Sequence, residues 1–297
     1  MNKPTLVDPR TRFKSDEFKD QEQETPALQE DMLPEPDCGE ESYVGHERLL
    51  HRNALITGGD SGIGRAAAIA YAREGANVAI HYLPGEEKDV REVKALIEKE
   101  GVKCHTMAYD LRDEGAATRI VEETMEALGA LDILVLNAAQ QIAQTSLEDL
   151  SIEQVEDTFK VNIISMFETV KAAEKHLKPG SSIIMTTSVT ATSPSPQLMD
   201  YAATKGAISN FVITLAEYFA EKGVRVNGVS PGPIWTPLQL DDGQPDGAIP
   251  EFGQKTLLGR AGQPVELAPV YVFLASNEAS FVSSQIYGVT GGQPITF

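Results

Sequence analysis

The chain has 297 residues, enough for one large α/β domain or two smaller ones, and its 41% apolar content supports a sizeable core. Its 44 acidic against 25 basic residues leave a net charge of −19, which excludes a phosphate-backbone binder because such proteins need basic patches. Two cysteines without a Cys-x-x-Cys spacing, five scattered histidines, no bilayer-length apolar run and no signal-peptide core argue against metal, dithiol, membrane and secreted classes; a cytoplasmic protein without a metal or a nucleic-acid partner is expected.

Residues 1–48 hold thirteen acidic and six basic side chains, several prolines and no sustained periodicity, so they form an extended acidic arm ahead of a domain at 49–297. Apolar Leu33, Tyr43 and Val44 lie in its later part. This predicts that residues 32–48 dock across a neighbouring subunit, while residues 1–31 stay mobile. From Asn53 the patterns alternate regularly. Strands are predicted at 54–57, 76–80, 104–108, 132–136, 181–187, 224–229 and 286–289. Helices are predicted at 62–74, 86–100, 113–128, 151–177, 200–222 and 264–274. Strands and helices in strict alternation mean right-handed βαβ units. The fold class is therefore α/β, a single Rossmann-type doubly wound parallel sheet of about seven strands behind an extended N-terminal arm.

The first strand runs into Thr57-Gly58-Gly59-Asp60-Ser61-Gly62-Ile63-Gly64, where a helix opens. Glycines there allow a tight turn and a close backbone approach to a pyrophosphate, and the helix N-terminus favours the anion. No Gly-Lys-Ser/Thr follows, so it is not a Walker loop. The Gly59-Asp60-Ser61-Gly62 string also spells the surroundings of a trypsin-like nucleophile, but that fold is all-β. Ser188 ends the fifth strand, and Tyr201 and Lys205 share one face of the following helix. A hydroxyl, a phenol and an ammonium at a strand's carboxyl end make a proton-transfer device for a carbonyl or alcohol. The second Tyr-x-x-x-Lys pair, Tyr218 and Lys222, has no strand end beside it and reads as a helix-surface pair.

These motifs resemble the short-chain dehydrogenase/reductase family, over residues 53–297. Thr57-Gly58-x-x-x-Gly62-x-Gly64 is similar to its coenzyme loop, and Asn137-Ala138-Ala139 resembles its Asn-Ala-Gly motif with alanine in the glycine's place. The resemblance implies Asp110 and Leu111 beside the adenine, and Asn162 holding a water in a proton relay. It further implies Ser188, Tyr201 and Lys205 as the catalytic set, with Lys205 also on the nicotinamide ribose. Pro231, Gly232 and Thr236 would grip the carboxamide, with Ile234 in the same segment. The arm and the phrase Thr-Gly-Gly-Asp-Ser-Gly-Ile-Gly-Arg-Ala are similar to bacterial general-stress oxidoreductases and plant glucose/ribitol dehydrogenase homologues. A homotetramer is expected by the same likeness, built on the helices carrying Asn162 and Tyr201.

The implied activity is hydride transfer between a nicotinamide coenzyme and a small aldehyde, ketone or polyol, with Tyr201 as general acid/base. A free tyrosine titrates near 10; Lys205 and an oxidised nicotinamide are expected to lower it. The coenzyme is NAD or NADP. The second strand ends on His81-Tyr82, without the acid that binds a ribose diol in NAD-preferring relatives. Arg65 is close in sequence, and Asp60 would repel a 2′-phosphate. The substrate pocket is expected from residues 140–143, 189–199 and the loop holding Ile234, Trp235, Leu238 and Leu240, then the polar Asp241-Asp242-Gly243. Two other classes compete: a catalytically silent nucleotide sensor, and a sugar-nucleotide epimerase of the extended branch. The intact Asn162, Ser188, Tyr201 and Lys205 set opposes the first, and the loop spacing opposes the second.

Overall fold

A computed structural model describes residues 6–13 and 18–295. Seven strands make one parallel sheet in the order β3-β2-β1-β4-β5-β6-β7. They are β1 (Asn53–Thr57), β2 (Asn77–Tyr82), β3 (Cys104–Ala108), β4 (Ile133–Leu136), β5 (Ser182–Thr186), β6 (Arg225–Pro231) and β7 (Ile286–Val289). Between them run α1 (Gly62–Arg73), α2 (Glu87–Lys99), α3 (Ala116–Leu128), α4 (Ile152–Phe159), α5 (Ser165–Ala173), α6 (Met199–Ala220) and α7 (Ala268–Ala275). The winding direction reverses between β1 and β4, which opens a crevice at their carboxyl ends.

Strand periodicity divides the core in two. Ala54, Ile56, Val78, Ile80 and Val135 pack under α1, α2 and α7. Leu55, Ala79, Leu134, Ile183 and Met185 pack under α3, α5 and α6. Both faces are covered, so the strands read as apolar runs rather than as an alternation. The long helix expected at 151–177 is present as α4 and α5 joined by a π-helical turn, Lys160–Ile164, which carries Asn162.

The arm differs from its sequence reading. It docks on its own domain, and its anchors begin well before residue 32. Phe18 stacks on Trp235, with ring centroids 4.1 Å apart, in a third cluster with Ala27, Met32, Leu240 and Ile249. Leu33 and Val44, expected anchors, are exposed. Hydrogen bonds do much of the holding, and an apolar pattern does not reveal them. Arg73 donates from Nη1 to the Gly39 and Tyr43 carbonyls, both at 2.6 Å. Trp235 Nε1 donates to the Pro34 carbonyl at 2.7 Å. Glu74 is buried, which opposes its ionisation, yet hydrogen bonds from Arg48 and Tyr43 bring its carboxyl down to about 2.

Phe18→Ala is predicted to cost about 3 kcal/mol, the usual range for a buried aromatic truncation. Because Trp235 is the only tryptophan, its emission should move to the red and become quenchable by acrylamide. Deleting residues 1–31 should lower the melting temperature as well. Unchanged melting and emission in both proteins would refute the docking.

Candidate active site

The site is built around the turn from β1 into α1. Gly58 has φ +61°, and a Cβ on Gly64 would lie 1.8 Å from the Gly58 carbonyl oxygen. Only glycine satisfies both the turn and the close approach. Asn137, just beyond β4, donates from Nδ2 to that same oxygen at 2.9 Å. Thr57 Oγ1 accepts the N–H groups of Asn137 and Ala138, at 3.0 and 3.2 Å. Thr186, at the end of β5, donates from Oγ1 to Asn137 Oδ1 at 3.0 Å. Three strand ends are thus bonded together at the crevice.

Helix α1 opens without a side-chain cap from Ser61. Its first N–H groups lack intrahelical partners and carry the positive end of the helix dipole. One of them, from Gly62, donates to Gln29 Oε1 of the arm at 2.8 Å. Ser61, Gly62 and Ile63, at this helix start, line a cavity of about 390 Å³ that runs along the strand ends from Asp110 to Ser188. A glycine cradle too tight for any Cβ, beneath a helix N-terminus, suits a dinucleotide pyrophosphate.

Most of the residues expected to meet a coenzyme line this cavity: Gly58, Asp60, Ser61, Gly62, Ile63, His81, Asp110, Leu111, Asn137, Ala138, Ala139, Pro231, Gly232, Ile234 and Thr236. Gly64 lies behind them as the packing glycine. Tyr82 does not line the cavity. Successive strand residues face opposite ways; His81 enters the cavity and Tyr82 packs into the core under α2. Trp235 and Leu240, expected in the substrate pocket, are buried beneath the arm instead. Arg65 is fully buried, with Nε 2.8 Å from Glu40 and Nη2 3.2 Å from Glu92. Lining residues that no sequence motif marks include Thr25, Ala27, Glu86 and Arg112, while Asp241 lines the cavity from the loop expected to bound the pocket.

Burial pushes His81 down to about 4, so it is neutral at pH 7. Its Nε2–H donates to the Tyr109 carbonyl at 2.9 Å, and its Nδ1 accepts the Gly58 N–H at 3.4 Å. The imidazole therefore ties β2, the segment after β3 and the glycine turn together.

Ser188, Tyr201 and Lys205 meet at the other end of the cavity, and all three are buried. Asp200 sets the start of α6: its Oδ1 accepts the Tyr201 N–H at 2.8 Å and its Oδ2 accepts Thr158 Oγ1 of α4 at 2.8 Å. Lys205 Nζ donates to the Thr186 carbonyl at 3.0 Å and stands 5.1 Å from the centre of the Tyr201 ring. Burial pushes the Tyr201 phenol up to about 12, and Ser188 pulls it back only in part. Burial also lowers Lys205 to about 7. The expected lowering of Tyr201 by Lys205 is absent from the protein alone. Asn162 lies outside the cavity lining. Its Oδ1 accepts the Gln140 N–H at 2.7 Å, and its Nδ2 donates to Gln140 O and Thr204 Oγ1. Its side chain clamps the segment after Ala139. Tyr218 and Lys222 both bond Glu174 on an exposed helix face, as a surface pair should.

Comparison with known proteins agrees with this geometry. A family model described as enoyl-(acyl carrier protein) reductase matches residues 58–293. The uncharacterized oxidoreductase YhxD of Bacillus subtilis is 56% identical over 297 residues, covering 99% of both chains. The NADPH-dependent aldehyde reductase 1 of Arabidopsis thaliana, a chloroplast protein, is 43% identical over 92% of this chain and 97% of its own length. A solved short-chain dehydrogenase from Burkholderia cenocepacia, in complex with NADP, superposes with a TM-score of 0.77. It is 32% identical, over 82% of this chain and 98% of that one.

The Lys205 shift predicts a pH signature. In the unfolded chain the ammonium keeps its proton up to about 10.5, whereas in the folded protein it releases it near 7. Between those values the unfolded state binds more protons, so this group makes stability rise with pH. Lys205→Met should remove that rise. Urea melts of both proteins from pH 6.5 to 9.5 would show the gap between them changing with pH; parallel curves would contradict the shift.

Proposed function

The chain belongs to the short-chain dehydrogenase/reductase family, a family of NAD(P)-dependent oxidoreductases, and from that premise we propose that it interconverts a small aldehyde, ketone or polyol with its redox partner, using Tyr201 as general acid/base. The observation that carries this reading is the meeting of Ser188, Tyr201 and Lys205 in the one cavity that begins at the glycine turn. The coenzyme, NAD or NADP, supplies or accepts the hydride when bound. NADP is the form in the Burkholderia complex, and NADPH is named for the Arabidopsis relative.

The residues' own work follows from their placement. Ser188 and Tyr201 donate hydrogen bonds to the substrate oxygen and orient it. Tyr201 gives its proton to that oxygen during reduction and takes one back during oxidation. A phenol near 12 is protonated at neutral pH, so the protein alone holds the proton that reduction uses and lacks the phenolate that oxidation needs. Lys205, held by the Thr186 carbonyl, reaches the ribose and supports the phenol. Asn162 fixes the Gln140 backbone at the cavity's edge. Thr190, beside Ser188, has a buried hydroxyl without a protein partner and offers a hydroxylated substrate a further contact.

Assembly as a homotetramer through α5 and α6 is part of the same reading. Ile164, Phe167 and Ile213 stand roughly half exposed near these two helices, and Phe167 stacks on Phe211 across them at 3.9 Å. No helix among the described residues is long and apolar enough to cross a membrane. The reading places the enzyme in the cytoplasm.

Tyr201→Phe should lower turnover by about 10²–10⁴-fold, the usual effect of losing a positioned acid/base, with coenzyme affinity nearly unchanged. Lys205→Ala should weaken both coenzyme binding and rate. Tyr218→Phe is the control and should change little. Rates come from aldehydes, ketones and sugar alcohols followed at 340 nm with each coenzyme. Wild-type turnover in folded Tyr201→Phe would rule out the mechanism.

A further inference from the structure

The end of the cavity away from Tyr201 is acidic. Asp60, from the glycine turn, is 2% exposed, and its Oδ2 has no hydrogen-bond partner among the described residues. Glu86, just before α2, lines the same compartment, where its Oε2 accepts the Leu83 N–H at 2.8 Å. Asp241, from the loop after β6, is the third carboxyl, and its Oδ1 is likewise buried without a partner. Burial raises all three, Asp60 to about 6 and Glu86 to about 9; the Asp60 charge adds to the rise of Glu86, which keeps its proton at pH 7 and through a hydrogen bond lowers Asp60 in turn.

Among the described residues, Arg112 is the one arginine or lysine that lines that end of the cavity. Arg65 lies outside the cavity against Glu40 and Glu92. Arg112 does line it, but forks onto Asp110 with Nε at 3.0 Å and Nη2 at 2.6 Å. His81 is neutral. The arm closes the compartment from above, where Thr25 and Ala27 form part of the wall. That wall is pinned, because the Gln29 N–H donates to Asp89 at 2.7 Å and Gln29 Oε1 holds the Gly62 N–H.

In this fold class the two coenzymes differ at one position, the 2′ substituent of the adenosine ribose, which is read beside the glycine turn and the end of β2. A 2′-hydroxyl is a donor that a buried, unpartnered carboxyl oxygen lacks. A 2′-phosphate is an acceptor with up to two negative charges, and it would enter a compartment that already holds the Asp60 and Asp241 carboxyls with their ordinary hydration removed. Like charges placed together there disfavour binding, whereas a hydroxyl relieves an unsatisfied group.

We infer that Asp60, Glu86 and Asp241 form the pocket for the adenosine ribose diol, and that they select NAD(H) over NADP(H). The inference rests on the cavity being the coenzyme site. It sets the chain apart from relatives whose names or bound ligands carry the extra phosphate. The pocket is assembled from three separate segments and roofed by the arm, so the familiar acid at the end of β2 is not needed for the selection.

Calorimetric titration of the full-length protein with NAD⁺ and with NADP⁺, without substrate, tests this directly. NAD⁺ should bind at least about 100-fold more tightly, by the like-charge penalty above. AMP should likewise bind more tightly than adenosine 2′,5′-bisphosphate. Equal or tighter binding of NADP⁺ overturns the selection while leaving the coenzyme site standing. Binding of neither coenzyme overturns the site itself and the inference with it. The variant Asp60→Ser/Glu86→Gln, checked for folding by circular dichroism, should narrow the NAD⁺/NADP⁺ ratio at least tenfold. An unchanged ratio in the folded variant overturns the assignment to these two residues. The wild-type titrations decide the selection even where the variant does not fold.

Discussion

The contact on which the site depends is the Gly58 carbonyl oxygen. Gly64 presses against it, the Asn137 amide donates to it, and the space between admits no side chain. From that oxygen a bonded path crosses the crevice. Asn137 accepts from Thr186 Oγ1, and the Thr186 carbonyl accepts from Lys205 Nζ. A hydroxyl has one proton, so Thr186, donating to Asn137, must accept from the Tyr271 hydroxyl 2.5 Å away. The turn that cradles a pyrophosphate and the ammonium that serves the chemistry are therefore held in register by two intervening residues. Neither could shift without breaking buried hydrogen bonds, each of which costs about 1–3 kcal/mol when a group is left unsatisfied.

Burial exerts opposite effects on the two groups at the chemical end. It favours the neutral form of each, so the phenol rises to about 12 and the ammonium falls to about 7. Proximity alone does not reverse this. Lys205 stands over the Tyr201 ring rather than in a hydrogen bond to its oxygen, and it is bonded to a backbone carbonyl. The phenol consequently keeps its proton at neutral pH when the protein is alone. Turning it into a base requires a positive charge to arrive nearby, as an oxidised nicotinamide ring would.

How much of this was legible in the sequence depended on whether a feature is local. Alternating strands and helices, the glycine turn, and Tyr201 with Lys205 on one helix face are local patterns, and they were read correctly in place. Tyr82 adjoins His81 at the end of β2, yet strand geometry sends the two in opposite directions. Trp235 and Leu240 looked like pocket residues because their loop follows β6. Their burial is set by Phe18 and Met32, more than two hundred positions earlier. Thr25 and Ala27 reach the cavity through the same long-range docking, so no window of sequence could have marked them. The rise of Tyr201 in the protein alone is hidden from the sequence for a different reason. Charge neighbours can be read from spacing, but desolvation depends on everything packed around a group.

The arm connects these points. Its Gln29 side chain uses one N–H of the helix that would hold the phosphates, and Phe18 buries the loop that bounds the opposite wall. An acidic, proline-containing segment has too little apolar surface to hold itself on a protein by burial alone. Here it is fixed by hydrogen bonds to groups that would otherwise be orphaned: the Gly62 N–H, the Trp235 indole and the Arg73 guanidinium. Those groups belong to α1 and to the loop after β6, the two elements between which a coenzyme must lie. The segment that looks most dispensable by composition therefore braces both sides of the cavity at once.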